Sequence, residues 1–197
     1  MFKNVDKSML MKLVALHVIV ITVSNALVAI PVEILGVKLT WAAFTFPLVV
    51  IATDLTVRLL GKTIARQTIA AAYPLAIIGS IAVVLAEGAP GSVAVRIGFA
   101  SATAYAIGTM LDVYVFHYIR EGFKNNWWLA PAVSTIAANI IDTYTFFAVA
   151  FNNSADEYMA ANWIEIAGSQ VVIKIAVGLL VFLPAYGILL NLSLIHI

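Results

Sequence analysis

Five ionisable side chains stand alone inside long apolar runs of this sequence. They are His17, Asp54, Asp112, Asp142 and Lys174. Within the hydrocarbon core of a membrane, such a group is tolerated only when it faces a protein interior, a water-filled cavity or a partner. Membrane-embedded ionisable groups of this kind bind polar solutes or relay protons, so these positions are the first candidates for a functional site.

The depth of these residues in their runs separates them into two tiers. At 1.5 Å per residue, His17, Asp54 and Asp112 lie roughly 8–12 Å from the end of their runs that carries basic residues. Asp142 and Lys174 lie roughly 12–14 Å from the opposite end, near the middle of the membrane. Opposite charges at matching depth on adjacent runs predict an ion pair between Asp142 and Lys174.

Structural explanations compete with functional ones at several of these positions. Arg58 follows Asp54 by four residues, so the two can form a clamp on one helix face. Asp112 can instead approach the lipid headgroups, and His17 can be a hydrogen-bonded packing residue. Asp142 is the hardest to explain structurally, because neither end of its run is near, and we favour a functional role for it.

Uncharged residues add to the pattern. Asn139 lies three residues before Asp142 and shares its helix face, and Asn25 is a polar residue within another apolar run. Such amides can also bond between helices, for about 1 kcal/mol or less. Pro47 and Pro184 lie within apolar runs, where the missing donor predicts a kink and frees carbonyl groups that can line a cavity.

The elements that must position these residues are transmembrane helices. The chain has 197 residues, of which 63% are hydrophobic and 11% charged. This composition excludes an ordinary soluble enzyme and a disordered protein, and eleven Lys and Arg offset by ten Asp and Glu exclude a nucleic-acid binder. A span needs about 20 mostly apolar residues. Stretches that qualify are 9–30, 41–60, 68–87, 93–116, 128–151 and 166–190.

Basic residues predict the orientation of these six spans. Eight of the eleven Lys and Arg fall at the N-terminus and in the second and fourth loops. The positive-inside rule then places both termini in the cytoplasm. We expect an all-α polytopic membrane protein with one domain over 1–191. The last residues, 192–197, are interpreted as a truncated or artefactual tail, and His196 is excluded from the candidate site.

Recognisable enzyme chemistry is missing from the sequence. Cysteine is absent, and no HExxH, paired metal-ligand histidine, Walker lysine loop or GxSxG motif occurs. We therefore expect no cofactor, no metal site and no ATPase of the protein's own. A membrane enzyme acting on a lipid remains an alternative, and its mark would be dependence on a divalent metal.

Several segments together resemble the queuosine-precursor transporter family, within a wider group of vitamin-uptake transporters. The most specific are the FPxxxxxTDLTVR pattern within 40–66 and WWLAPAVSTIAANIIDTYTFF at 127–147. Further similarity occurs at 24–36, 111–120, 162–167 and 182–191, so the resemblance covers roughly residues 12–191. It departs at the C-terminus, where family members usually continue with a charged segment.

The resemblance implies a bacterial inner-membrane importer of 7-cyano-7-deazaguanine or a close relative, a precursor of the modified tRNA nucleoside queuosine. A deazaguanine is flat and rich in hydrogen-bonding groups, and a carboxylate can accept from its N1–H and exocyclic amine together. Candidate substrate-binding residues are then Asp142, Asn139, Asn25, Lys174 and an aromatic such as Phe44, Phe46 or Phe147. Candidate gating or proton-coupling residues are Asp54, Arg58, Asp112 and His17.

Two transport mechanisms fit these expectations. The first is a secondary transporter or facilitator, which takes its substrate across the bilayer by itself. The second is a substrate-binding subunit of an energy-coupling importer, which docks to a partner through patches of small residues. A six-span bundle is small for alternating access, so a homodimer is also expected.

Overall fold

The computed structural model describes residues 7–28, 31–34, 37–45, 47–123 and 126–195. Its elements, in chain order, are α1 (Lys7–Val28), β1 (Pro31–Ile34), β2 (Val37–Thr40), α2 (Ala42–Thr45), α3 (Pro47–Leu60), α4 (Lys62–Ala86), α5 (Gly91–Gly122), α6 (Leu129–Phe151), α7 (Glu157–Val177), a π-helical segment (Gly178–Phe182) and α8 (Leu183–Ile195).

Helices long and apolar enough to cross a membrane dominate this structure. Five such segments occur in the described part of the chain: Lys7–Leu27, Lys62–Ala86, Gly91–Gly122, Leu129–Phe151 and Glu157–Asn191. The predicted helical membrane class is therefore confirmed. A short antiparallel hairpin, which pairs Pro31 with Thr40, is an addition that the sequence did not predict.

Two helices lie within the predicted second span, one on each side of Phe46, which is outside the described residues. The stretch 41–60 forms α2, of four residues, and α3, of 14 residues. At 1.5 Å per residue α3 is about 21 Å long, which is less than the roughly 30 Å of a hydrocarbon core. Pro47 is the first described residue of α3, so the kink predicted at this proline adjoins Phe46 and lies outside the described residues.

The observed helix differs from the predicted sixth span, 166–190, at both ends and in its middle. The helix begins at Glu157 rather than at 166, because the side chain of Asp156 caps it by accepting from the Met159 N–H at 3.0 Å. The π-helical segment ends two residues before Pro184, whose missing N–H disrupts regular α-helical bonding in the preceding turn. Helix α8 then continues to Ile195, into the segment interpreted as a tail; residues 196–197 lie outside the described part.

Helix α5 forms the centre of the bundle and packs most extensively against α4 and α6. Tyr105, Val113 and Phe116 on α5 are fully buried in the apolar core. Small residues let the neighbouring helices approach closely. A Cβ atom added at Gly98 would lie 2.5 Å from Cγ1 and 3.0 Å from the backbone nitrogen of Ile81 on α4.

Replacing Gly98 by alanine should therefore destabilise the bundle, because the α4 backbone must move to accept the added methyl group. We expect a loss of about 1–3 kcal/mol, measured by thermal unfolding in detergent. Gly122→Ala at the end of α5 is the matched control, because a Cβ there meets nothing within 4 Å. Equal stability of the two variants would contradict the close α4–α5 packing.

Candidate functional site

A continuous polar face on α6 joins the two predicted tiers. Its buried members are Ser134, Thr135, Asn139, Asp142 and Thr143. Their spacing of about four residues places them on one side of the helix. From Ser134 to Thr143 this face, which we call the α6 polar stripe, extends about 13 Å along the helix axis. Such a stripe in a membrane helix must face protein, and here it faces α3, α5 and α7.

At one end of the stripe, Asp142 forms the predicted ion pair with Lys174 of α7. The Lys174 Nζ lies 3.1 Å from Asp142 Oδ2 and also donates to the Thr143 hydroxyl at 3.0 Å. The lysine side chain is 12% exposed and the aspartate side chain 3%. The prediction of an ion pair is confirmed, and the pair points into the bundle rather than towards lipid.

The middle of the stripe contains an amide with unused hydrogen-bonding capacity. Asn139 is fully buried, and its Nδ2 donates to the Thr135 carbonyl at 2.8 Å. Its Oδ1 has no hydrogen-bond partner among the described residues. Gly178, in the π-helical segment, packs so closely that an added Cβ would lie 2.7 Å from Thr135 Cγ2 and 3.9 Å from Asn139 Nδ2.

At the other end of the stripe, two aspartates from different helices converge on Ser134. The Ser134 hydroxyl lies 3.2 and 3.4 Å from the two carboxylate oxygens of Asp54 on α3. Asp112 on α5 lies beside Asp54, close enough for their carboxyl groups to interact. Both aspartates are fully buried, and neither Asp112 oxygen has a well-oriented donor among the described residues.

This arrangement rules out two of the structural explanations. Arg58 donates to the Tyr186 hydroxyl at 3.4 Å, and no ion pair joins it to Asp54 within the described residues, so the predicted alternative of a clamp is wrong. Asp112 is completely buried, so it does not approach the headgroups. The sequence analysis did not single out Tyr186, which lies four residues from the end of the predicted sixth span, where a tyrosine is typical of the membrane interface.

His17 lies on α1, apart from the carboxyl pair. Its Nδ1 is 2.9 Å from the Tyr105 hydroxyl, and its ring meets the Tyr105 ring edge-on. The other ring nitrogen, Nε2, is buried without a hydrogen-bond partner among the described residues. Tyr105 precedes Asp112 by two helical turns on α5, so it lies on the same face of that helix. Tyr105 was not predicted as part of the site.

The remaining candidates occupy different surroundings. Asn25 donates to the Ser80 hydroxyl at 2.5 Å and accepts from Ser101 at 2.9 Å, so it links α1, α4 and α5. Phe44 packs against the Trp41 ring, with centroids 5.6 Å apart. Phe147 is largely buried beside other α6 aromatics. Phe46 lies outside the described residues.

Taken together, these features define a multi-pass membrane protein with a chain of polar groups in its interior. The profile of the family described as "Putative vitamin uptake transporter" matches residues 40–189. The chain belongs to this family, and within it to the queuosine precursor transporters. The prediction of a transporter rather than an enzyme is thereby confirmed.

The curated relatives carry consistent names. The chain is 43% identical over 189 residues to the "Queuosine precursor transporter" of Escherichia coli K12. The aligned region covers 90% of this chain and 85% of that protein. It is 35% identical to the "Probable queuosine precursor transporter" of Haemophilus influenzae, with the same coverage. A protein of that name from Bacillus subtilis is 36% identical over 47% of this chain and 40% of its own length. No solved structure matches the chain.

The Asp142–Lys174 pair yields a stability prediction. Lys174→Met should destabilise the protein by about 3 kcal/mol, because it leaves the Asp142 carboxylate buried without its cation. The double variant Asp142→Asn with Lys174→Met removes both charges and should recover most of this loss. Thermal unfolding in detergent measures both variants. Equal losses in the single and double variants would contradict a paired buried charge.

Proposed function

We propose that this protein is an inner-membrane importer of a queuosine precursor, 7-cyano-7-deazaguanine or a closely related deazapurine. The observation that carries the proposal is the α6 polar stripe together with Lys174 of α7. They place an acceptor, a donor and an unsatisfied amide in the interior of a bundle whose relatives are named as transporters of such a precursor. The names supply the substrate class, and the stripe supplies groups able to recognise it.

The Asp142–Lys174 pair complements one edge of a deazaguanine ring. That edge presents a carbonyl, which accepts, next to N1–H and an exocyclic amine, which donate. Asp142 can accept from both donors, while the Lys174 Nζ donates to the carbonyl. The ion pair then opens to admit the substrate, and the ring edge replaces each partner's lost hydrogen bonds.

Asn139 and aromatic residues complete the proposed site. The Asn139 Oδ1, unpartnered and fully buried, can accept a further hydrogen bond from a ring N–H. Phe147, one turn beyond Thr143 on α6, can stack on the ring face, as can Phe44 on α2. Asn25 remains a candidate only if its bonds to Ser80 and Ser101 exchange during transport, and its present geometry favours a helix-linking role.

The carboxyl pair and Arg58 form the proposed gate towards the basic end of the bundle. Asp54, Asp112 and Ser134 close the stripe, and the Arg58–Tyr186 contact lies one turn further along. Two adjacent buried carboxyl groups hold a single proton more readily than none, because their charges repel. We propose that this proton couples transport to the proton gradient, and that His17 takes part in its transfer.

The proposed topology has six crossings, with α2 and α3 together forming the second. Both termini then lie in the cytoplasm of a bacterial cell, and two copies form a homodimer. Residues 192–197 are left out of the site. No separate observation favours the alternative of a subunit that depends on an energy-coupling partner.

Asp142→Asn should reduce uptake of 7-cyano-7-deazaguanine at least tenfold, because an amide replaces one acceptor by a donor. The measurement is queuosine in the tRNA of cells that cannot make the precursor and are supplied with it. Glu165→Gln is the matched control, because it removes a carboxylate from the exposed face of α7. The double variant Asp142→Asn with Lys174→Met should stay folded and inactive; full uptake by either variant would contradict the assignment.

Proteoliposomes containing only this chain should accumulate the precursor when the lumen is alkaline, and Asp112→Asn should abolish the effect of the pH gradient. Equilibration without accumulation would contradict proton coupling but leave the substrate assignment intact. No uptake by the wild-type chain alone, with uptake restored by a membrane extract, would contradict an independent transporter.

A further inference from the structure

The basic end of the bundle contains a recess with unbalanced positive charge. A cavity of about 560 Å³ lies where α3, α4 and α5 meet, and its lining includes Arg58, Lys62, Arg120, His117 and Glu121. It lies outside the α6 polar stripe. Nothing proposed above for the substrate uses Lys62 or Arg120.

The two arginines of this recess lack carboxylate partners. Arg120 donates to the backbone carbonyl of Arg58 at 3.3 Å, and Arg58 donates to the Tyr186 hydroxyl at 3.4 Å. Their guanidinium groups lie close enough to repel one another. The acidic residue in the lining, Glu121, is instead 3.1 Å from His117 Nε2. Among the described residues no carboxylate neutralises either arginine.

Two half-buried guanidinium groups that repel each other lack a counter-anion within the part of the chain that the structure describes. Each has several N–H donors in a planar fork, and the bonds to Tyr186 and to the Arg58 carbonyl use only one donor of each arginine. An anion with several oxygens would satisfy both forks and remove their repulsion. A phosphate group fits this requirement best, because arginine binds phosphate oxygens in bidentate geometry.

We propose that the recess between α3, α4 and α5 is a binding site for a phosphate group, held by Arg58 and Arg120 with Lys62 at its rim. The phosphate is carried either by an anionic lipid headgroup or by a free phosphate compound. Bound there, it links three helices beside the α3–α4 turn at Gly61. The site shares Arg58 with the proposed gate but shares no residue with the deazapurine site, and it does not depend on deazapurine binding.

The chain supplies a matched control for this proposal. Arg66 lies on α4, one turn after Lys62, and does not line the recess; its guanidinium group lies 5.7 Å from the centre of the exposed Tyr114 ring, as does the Lys62 Nζ. It contributes the same charge at the same end of the bundle. A general attraction of anions to basic residues would therefore depend on Arg66 as much as on Arg120.

The test is thermal unfolding of the delipidated full chain in a neutral detergent at constant ionic strength. Phosphatidylglycerol, phosphatidylcholine and inorganic phosphate are added separately to the wild type and to Arg120→Gln, Lys62→Gln and Arg66→Gln. At a ligand concentration of about 100 Kd, the wild-type midpoint should rise by roughly 5 °C or more. Arg120→Gln should lose most of this rise, Lys62→Gln part of it and Arg66→Gln little.

Each outcome bears on the proposal. Stabilisation by phosphatidylglycerol alone supports a lipid headgroup as the source, and stabilisation by inorganic phosphate supports a free phosphate compound. Equal stabilisation by phosphatidylcholine, no stabilisation by any probe, or equal losses in Arg66→Gln and Arg120→Gln would overturn the site. If Arg120→Gln fails to fold, Lys62→Gln and the charge-conserving Arg120→Lys decide the same question.

Discussion

A carboxylate in the hydrocarbon core of a membrane needs a counter-charge and hydrogen-bond donors, and in this protein Asp142 obtains both from Lys174 and Thr143. This requirement fixes how α6 faces α7. Gly108 on α5 then allows the third helix to close on the pair, since a Cβ there would lie 2.7 Å from that of Asp142. The packing of three helices therefore follows from one buried charge pair.

The same requirement explains why the polar residues of α6 form a continuous face. Four of the five side chains of the stripe have a partner on another helix or on their own backbone: Ser134 on α3, Asn139 at the Thr135 carbonyl, and Asp142 and Thr143 on α7. Burial of these groups costs stability unless they are satisfied. Among the buried atoms without a hydrogen-bond partner in the described residues are Asn139 Oδ1 and both Asp112 oxygens, and a bound ligand or proton there would lower the free energy of the protein. Structure and proposed transport thus depend on the same few atoms.

Part of this architecture was readable from the sequence. Opposite charges at equal depth predicted the Asp142–Lys174 contact, and the apolar runs predicted the long helices. The convergence of Asp54 and Asp112 on Ser134 was not predictable, because one sequence does not show which helix faces meet. The early start of α7 was missed although Asp156 followed by Glu157 is a recognisable helix start.

Ligand binding to the purified chain tests the central claim most directly, namely that the buried pair and its neighbouring amide recognise a guanine-like ring edge. Thermal stabilisation by equal concentrations of 7-cyano-7-deazaguanine, its N1-methylated form and adenine provides the comparison. The account predicts stabilisation by 7-cyano-7-deazaguanine, with most of it lost in the N1-methylated form and in adenine, which lack the N1–H donor. Equal stabilisation by all three compounds, or by none, would contradict it.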